Sequence, residues 1–436
     1  MFHLGWFVGN GYSVQAWDRP WTGVDAQEWY TTSIYRDTAL ALQRACFDFM
    51  VFQDGLMVPD IYKGSSEADF RYAQEVPRSD PTAMIAALSQ HTTDLGLIST
   101  ISTSYYPPFM AARMLATLDQ LTGGHAGGNL VTSSSTRAAQ NFGLDAQIPH
   151  DERYLRALEW TDLVTQLWDS WEPDAVVMDE QTGVWADHTK VHRVDFEGRW
   201  HRSRGPLNTM PGPQGRPVIS QAGASPAGRE FGGRFADVVF YAPVGLERMR
   251  QYRDDIRRRA EEAGRDPDDC KVFFMIDPLV AETDDIAQRI RDHQRERRSS
   301  DRAIDEHLSM MSYYADMDLS QFDLDQPLPD LSGKINGQVS TMERYQQDGQ
   351  GKTLRELASA HSAVSALEFV GSPETVARQM AEVVEEVGGD GFLFCSQITR
   401  KTISEITDGL VPELKRRGLT RTSYRGKTLR ENLQEF

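Results

Sequence analysis

Residues 96–133 read GLISTISTSYYPPFMAARMLATLDQLTGGHAGGNLVTS, two short runs rich in Ile, Ser, Thr and Val on either side of an amphipathic stretch. The first run, 97–103, ends in the polar cluster Ser102, Thr103 and Ser104, ahead of Tyr105, Tyr106, Pro107 and Pro108. Proline suits the first turn of a helix, where the backbone N–H has no intrahelical partner. Met110, Met114, Leu118 and Leu121 then recur at spacings that put them on one helical face, which the sequence marks as the packed one. Gly123 and Gly124 end the helix. The second run, 129–133, again closes on small hydroxyl residues. A strand with a polar far end, repeated around a helix, fits a (β/α)8 barrel whose ligand sits at the carboxyl ends of its strands. Taken alone, the unit also fits an open doubly wound sheet.

Working outward, eight stretches read as strands: 2–8, 47–54, 97–103, 129–133, 217–223, 237–242, 271–279 and 391–395. Helical periodicity fills most gaps, for instance 34–46, 82–91, 153–168 and 374–387. Eight strands alternating with helices argue for closure into a barrel of α/β class. Two stretches break the repeat. Residues 171–215 are rich in Trp, Asp, Gly and Pro, and residues 284–370 join a charged helix to the run DLSQFDLDQPLPDLSGKING. Long insertions in barrels build lids or pocket walls, so the expectation is a single domain over 1–436 carrying two insertions.

Composition narrows the function. With 46 Lys and Arg against 64 Asp and Glu, the formal charge is -18, which opposes nucleic acid or an anionic membrane as partner. The three cysteines, Cys46, Cys270 and Cys395, are far apart and suggest neither a disulfide framework nor a metal site. That fits a reducing, cytoplasmic setting. No apolar run approaches the roughly 20 residues of a membrane span, and the N-terminus lacks the layout of a signal peptide.

Polar groups at strand ends are the candidates for binding. Asp54 follows the apolar run FDFMVFQ, Thr100 lies inside the third strand, and Asn129 sits at the fourth. The turn Gly223, Ala224, Ser225 leads into Pro226 and a helix, which reads as an N-cap or as a seat for a phosphate. His150 and Tyr154, four apart, share a helix face as a cap and a packed ring or as a second pair of ligands. Metal spacings such as HxH or HExxH, a GxSxG nucleophile elbow and a GxGxxG turn are all missing from the sequence. Metal hydrolysis, nucleophile-elbow chemistry and a resident nicotinamide fold are therefore disfavoured. The aromatics Trp6, Phe7, Tyr105, Tyr106 and Phe109 fall near strand ends and divide between core packing and a substrate wall.

Several long motifs in order carry a resemblance. They are FDFMVFQDGL, TISTSYYPPFMAARMLATLDQLTGG, NLVTS followed by NFG, HDERYLRALEWTDLVTQLWDSW, RGPLNTMPGPQGRPVISQAGASPAGREF and GLTRTSYRGKTLREN. Together they resemble the bacterial luciferase-like flavin monooxygenases, in the branch of the nitrilotriacetate, EDTA and dibenzothiophene-sulfone enzymes. The resemblance implies a (β/α)8 barrel that takes reduced FMN from a separate NAD(P)H:FMN reductase. It uses dioxygen to oxygenate a small organic substrate, often with C–S or C–N cleavage. It also implies FMN contacts at Asp54, Thr100, Asn129, His150, Tyr154, Ala224 and Ser225, with Thr100 and Asn129 lining the oxygen pocket as the catalytic pair. A homodimer or homotetramer follows by analogy.

One departure stands out. Where relatives carry GGRxxWN, this chain has GGHAGGN, with His125 and Gly128 replacing the arginine and the tryptophan. Loss of the tryptophan is expected to open space beside flavin or substrate. The turn and strand-end motifs lean toward an organosulfur or aromatic substrate. No basic cluster for a polycarboxylate is evident, Arg202, Arg204 and Arg229 being the candidates. A deazaflavin-dependent oxidoreductase of the same superfamily and a non-catalytic flavin-binding protein are the competing readings.

Overall fold

A computed structural model describes residues 1–9, 17, 28–242, 245–331, 335–360 and 367–436. Eight parallel strands close into a barrel in which each is hydrogen-bonded to its sequence neighbours. They are β1 (His3–Val8), β2 (Phe49–Phe52), β3 (Gly96–Ser102), β4 (Ala126–Val131), β5 (Val218–Gln221), β6 (Val238–Tyr241), β7 (Lys271–Ile276) and β8 (Gly391–Phe394). Each of the eight expected stretches overlaps one of these strands, the fourth starting three residues earlier than expected, at Ala126, and β8 pairs back to β1 to complete the ring. The open-sheet alternative is excluded by that pairing.

Around the barrel run α1 (Ser33–Ala45), α2 (Pro81–Leu88), α3 (Pro108–Leu121), α4 (His150–Trp168), α5 (Pro226–Phe235), α6 (Leu246–Glu262), α7 (Asp284–Arg298), α8 (Asp301–Ala315) and α9 (Pro373–Val387). The caps follow the sequence. Asp80 accepts from the N–H groups of Thr82 and Ala83 to start α2, Ser225 caps α5, and Ser372 caps α9, each followed by proline. In α3 the expected packed face is half realised. Leu118 is buried and Met114 packs on the core, but Met110 is 52 % and Leu121 48 % exposed, while Ala111, Ala112, Leu115 and Ala116 are buried. Close packing of a helix on the barrel selects small side chains, so the alanine stripe faces inward although the larger residues have the cleaner period.

The barrel interior is closed at the amino ends of the strands by rings. Phe49 lies against Phe240 and Phe273 at centroid distances of 5.8 and 5.0 Å. A Cβ at Gly5 would sit 2.6 Å from the Phe49 ring, so this position needs glycine for the packing to exist. Beneath them Asp48, fully buried, pairs with His3 and Arg421, both at 2.9 Å, and takes the N–H of Leu4. Burial raises the Asp48 carboxyl, but its contacts with His3, Arg421 and the Leu4 N–H prevail and hold it below its ordinary range.

The two insertions lie at opposite ends. Residues 171–215 follow helix α4, not a strand, and form two small antiparallel hairpins, Val176–Asp179 with Val184–Ala186 and Phe196–Glu197 with Arg202–Ser203. Glu159 of α4 anchors them by accepting the N–H groups of Arg199, Trp200 and His201 at 2.7 to 2.8 Å. Gln214 then ties their exit to Asp119 and to the carbonyl of Ala126 at the amino end of β4. This segment is no lid, contrary to expectation, because a helix returns the chain to the end of the barrel opposite the site. Residues 284–370 do follow a strand, β7. Their ends are drawn together by the parallel pair Leu279–Val280 and Val370–Gly371. Helix α8 builds a separate apolar cluster there, with Leu308, Met311, Met342 and Tyr345 buried against Tyr62 from the loop after β2.

Candidate active site

The carboxyl ends of the strands open into a cavity of about 660 Å³. Its floor is set by register. Thr100 is paired with Asn129, and Asn129 with Ser220, so three neighbouring strands place these residues at one level. Asn129 Nδ2 donates to Thr100 Oγ1 at 2.9 Å, and Ser220 Oγ donates to Asn129 Oδ1 at 3.5 Å. Thr100 and Asn129 are 4 % and 5 % exposed, which makes the floor polar and recessed. Phe7, Val131, Met275 and Cys395 supply the apolar walls. Burial pushes the Cys395 thiol well up, so it remains protonated and is not a nucleophile.

One flank is the turn into α5. Ser225 Oγ accepts the N–H of Gly228 at 3.1 Å, and Gln221 Oε1 accepts that of Gly223 at 2.6 Å. Tyr252 holds the same turn by donating to the Gly223 carbonyl at 3.3 Å and stacks on Tyr241 at 4.1 Å. A Cβ at Gly223 or Gly228 would come within 2.8 or 2.9 Å of Tyr154 Oη. Glycine at both positions therefore lets the phenol reach the helix N-terminus. Burial raises the Tyr154 phenol, with hydrogen bonds from Ser225 and Gln221 pulling the other way. His150 opens α4 one turn before Tyr154, its Nδ1 2.8 Å from Asp151 and its ring 5.1 Å from the tyrosine. Arg229 completes the flank. One end of its guanidinium pairs with Asp255 at 3.0 Å, and its buried Nε has no partner among the described residues.

Opposite this flank lies Asp54, whose Oδ1 accepts the N–H of Gly55 at 2.8 Å. Burial pushes its carboxyl up to about 6, against the pull of Arg78. Arg78 in turn donates to the fully buried Glu75 at 2.5 Å, whose carboxyl burial raises to about 7. Met310, Tyr313 and Tyr314 of α8 close the cavity from above.

All seven expected ligands, Asp54, Thr100, Asn129, His150, Tyr154, Ala224 and Ser225, line this one cavity. The five aromatics divide as expected between packing and the cavity, and only Phe7 lines it. Trp6 is buried against Phe47 and Phe394, Tyr105 stacks on Phe142, and Tyr106 and Phe109 pack on the main core. Strand alternation turns Gly128 away from the cavity, and a Cβ there would meet Leu115 at 3.1 Å. The missing tryptophan thus concerns the helix layer and opens nothing beside the cavity. Arg202 and Arg204 belong to the first insertion and do not line it. Gln53, Gln221 and Met275 do line it and were missed, although both glutamines end an apolar strand run as Asp54 nearly does.

The donor set suits a phosphorylated aromatic cofactor. Hydroxyls, a guanidinium and a helix N-terminus gather at one end, as a phosphate requires. Apolar walls with a few fixed amide and hydroxyl groups occupy the other, as a planar heteroaromatic ring requires. Among the described residues no group of three His, Cys, Asp or Glu is placed to hold a metal ion. No helix among them is long and apolar enough to cross a membrane.

Comparison with known proteins agrees with this geometry. The family model described as "Luciferase-like monooxygenase" matches residues 19–391. A dibenzothiophene-sulfone monooxygenase of Rhodococcus erythropolis (strain XP) is 35 % identical over 99 % of this chain and 96 % of its own. Nitrilotriacetate monooxygenase component A of Aminobacter aminovorans is 34 % identical over 95 % of this chain and 92 % of its own. Among solved structures, a riboflavin lyase with modified FMN and riboflavin superposes with a TM-score of 0.88 at 30 % identity, covering 100 % of this chain and 96 % of that one.

Proposed function

The chain belongs to the luciferase-like monooxygenase family, and on that premise we propose that it is the oxygenating component of a two-component, FMN-dependent monooxygenase. The observation that carries this reading is the convergence of all seven expected ligands on one cavity, with a polar floor at one end and the capped turn into α5 at the other. Reduced FMN, supplied by a separate NAD(P)H-dependent reductase, provides the electrons with which dioxygen is split between the substrate and water.

The protein's part is binding, orientation and exclusion of water. Ser225, Tyr154, His150 and Arg229 would hold the phosphate and neighbouring hydroxyls. Asp54 lines the cavity beyond that flank, and its raised carboxyl would be able to exchange a proton near neutrality. Asn129, held by Thr100 and Ser220, presents a fixed amide on the cavity floor, and Met310, Tyr313 and Tyr314 of α8 cover the cavity, an arrangement that would limit the water around a bound flavin. The substrate is a small organic molecule oxygenated beside sulfur or nitrogen, with sulfur favoured by the strand-end motifs and the sulfone-oxidising relative. We read the whole chain as one barrel domain with two insertions, assembled as a homodimer or homotetramer.

The test is oxygen uptake by the purified protein with FMN, NADH and a flavin reductase, against sulfones, thioethers and aminopolycarboxylates. Substrate-dependent product carrying one atom from labelled dioxygen is the expected result. Oxygen-independent turnover with a reduced deazaflavin, and none with reduced FMN, would overturn it.

A further inference from the structure

A second cavity of about 830 Å³ adjoins the first, and Met310 and Cys395 line both. It is framed by α7, α8 and the loops that leave β7 and β8, within the second insertion's side of the molecule. Its chemistry is opposite to that of the chain as a whole. In a protein of formal charge -18, six Arg or Lys side chains line it against three carboxylates.

Two of the carboxylates are paired: Glu306 accepts from Arg302 at 2.7 Å and Glu405 pairs with Lys401. Asp277 accepts from the Ser396 hydroxyl at 2.7 Å and keeps its charge, which acts on Arg298 without a contact ion pair. That leaves Arg289, Arg291, Arg297 and Arg298, all from α7, with no ion-pair partner among the described residues. The fifth arginine of the helix, Arg295, is neutralised by Glu368 and Asp292 outside the cavity. Arg291 is only 5 % exposed, and its Nε is buried without a hydrogen-bond partner. Arg298 is half-buried beside it. Burying guanidinium groups near their own kind, with the single charge of Asp277 against four arginines, is unfavourable unless a further anion joins them. Recessed charges of one sign also concentrate small anions from solution. A flat protein surface does not reach a side chain as deep as Arg291, so a small molecule is the better occupant.

We propose that this arginine chamber is a binding site for a carboxylate or sulfonate group of the substrate, whose oxidisable end extends past Met310 and Cys395 to the polar floor of the first cavity. The inference rests on the monooxygenase reading and names its substrate class: a small organic anion, elongated enough to occupy both cavities. Arg291 and Arg298 are then specificity-determining residues that do not touch the reacting atoms.

The experiment is calorimetric titration of the full FMN-free chain with adipate and benzenesulfonate, and with their neutral amides adipamide and benzenesulfonamide. Both anions are expected to bind, more weakly as salt rises, and neither amide is. In R291Q/R298Q the anions should bind at least about tenfold more weakly, the loss of a charge-assisted contact. R289Q/R297Q, whose side chains are less buried, should show a smaller loss in the same direction and keeps the question open to test if Arg291 is needed for folding. Reduced-FMN affinity, measured in parallel, should be unchanged in both, since none of the four lines the first cavity. Absence of anion binding, equal binding of the amides, or indifference to both substitutions would overturn the chamber. Normal anion binding with no affinity for reduced FMN would sink the flavin reading alone.

Discussion

The two insertions are of similar visibility in the sequence and opposite in consequence. Residues 171–215 interrupt the repeat between a helix and a strand, and they cover the amino-end side of the barrel through Glu159, Asp119 and Arg216. Residues 284–370 interrupt it after a strand, and they roof the site with Met310, Tyr313 and Tyr314. In a parallel barrel each strand delivers the chain to the site and each helix carries it away. The phase of an insertion in that alternation, more than its composition, decides whether it can touch the chemistry.

The largest effect is expected at the cavity floor. Asn129→Ala should lower turnover by about 100-fold or more, as loss of a positioned donor does elsewhere, with reduced-FMN binding little changed. Stopped-flow kinetics beside a flavin titration would decide it, and unchanged turnover would remove the floor from the chemistry. Next in size, Glu159→Ala strips three backbone N–H groups of a charged acceptor and should cost about 2 kcal/mol of stability in urea unfolding. Its KM and kcat should stay at wild-type values; a shift in KM would show that the first insertion does reach the site. Met310→Ala, on the roof, should do the reverse, raising KM about tenfold with a small change in unfolding midpoint.

The smallest effect concerns pH and has opposite sign at Asp54, beside the cavity, and at Glu159, which anchors the first insertion. Burial raises Asp54 from 3.8 to about 6, so its contribution to stability is full below its unfolded value and is lost as pH rises through 6. Glu159 is raised by burial but lowered further by its three N–H donors, so its contribution is present above the ordinary glutamate value and lost as pH falls through its folded one. Thermal unfolding of the FMN-free protein should therefore show Asp54→Asn stabilising at pH 8 and neutral at pH 4. Glu159→Gln should destabilise at pH 8, an effect that fades in acid. Parallel pH profiles for the two variants would contradict the assignment.

The strands were legible because buried parallel strands need continuous apolar runs, and each here ends in a polar residue or a turn. The same polar endings exposed Asp54, Thr100, Asn129 and Ser225 as site candidates. What stayed hidden depends on direction in three dimensions. Period alone does not say which face of α3 packs, and alanine outcompeted methionine for the close approach. Gly128 and Asn129 are adjacent in sequence but point to opposite sides of β4, so the change at Gly128 left the cavity untouched. The arginines of α7 read as an ordinary charged helix because their lack of acidic partners appears only when α8 and the loop after β8 are in place.

The pairing of Asp48 with Arg421 also makes distant parts of the ring interdependent. The carboxylate stands just before β2 and its guanidinium beyond β8, so one ion pair ties the early strands to the segment that follows the last one. A carboxylate left at that depth without its cation is costly. Loosening of the segment around Arg421 is therefore expected to open the amino-end rim at β1 and β2 with it, which amide hydrogen exchange would register as one shared opening.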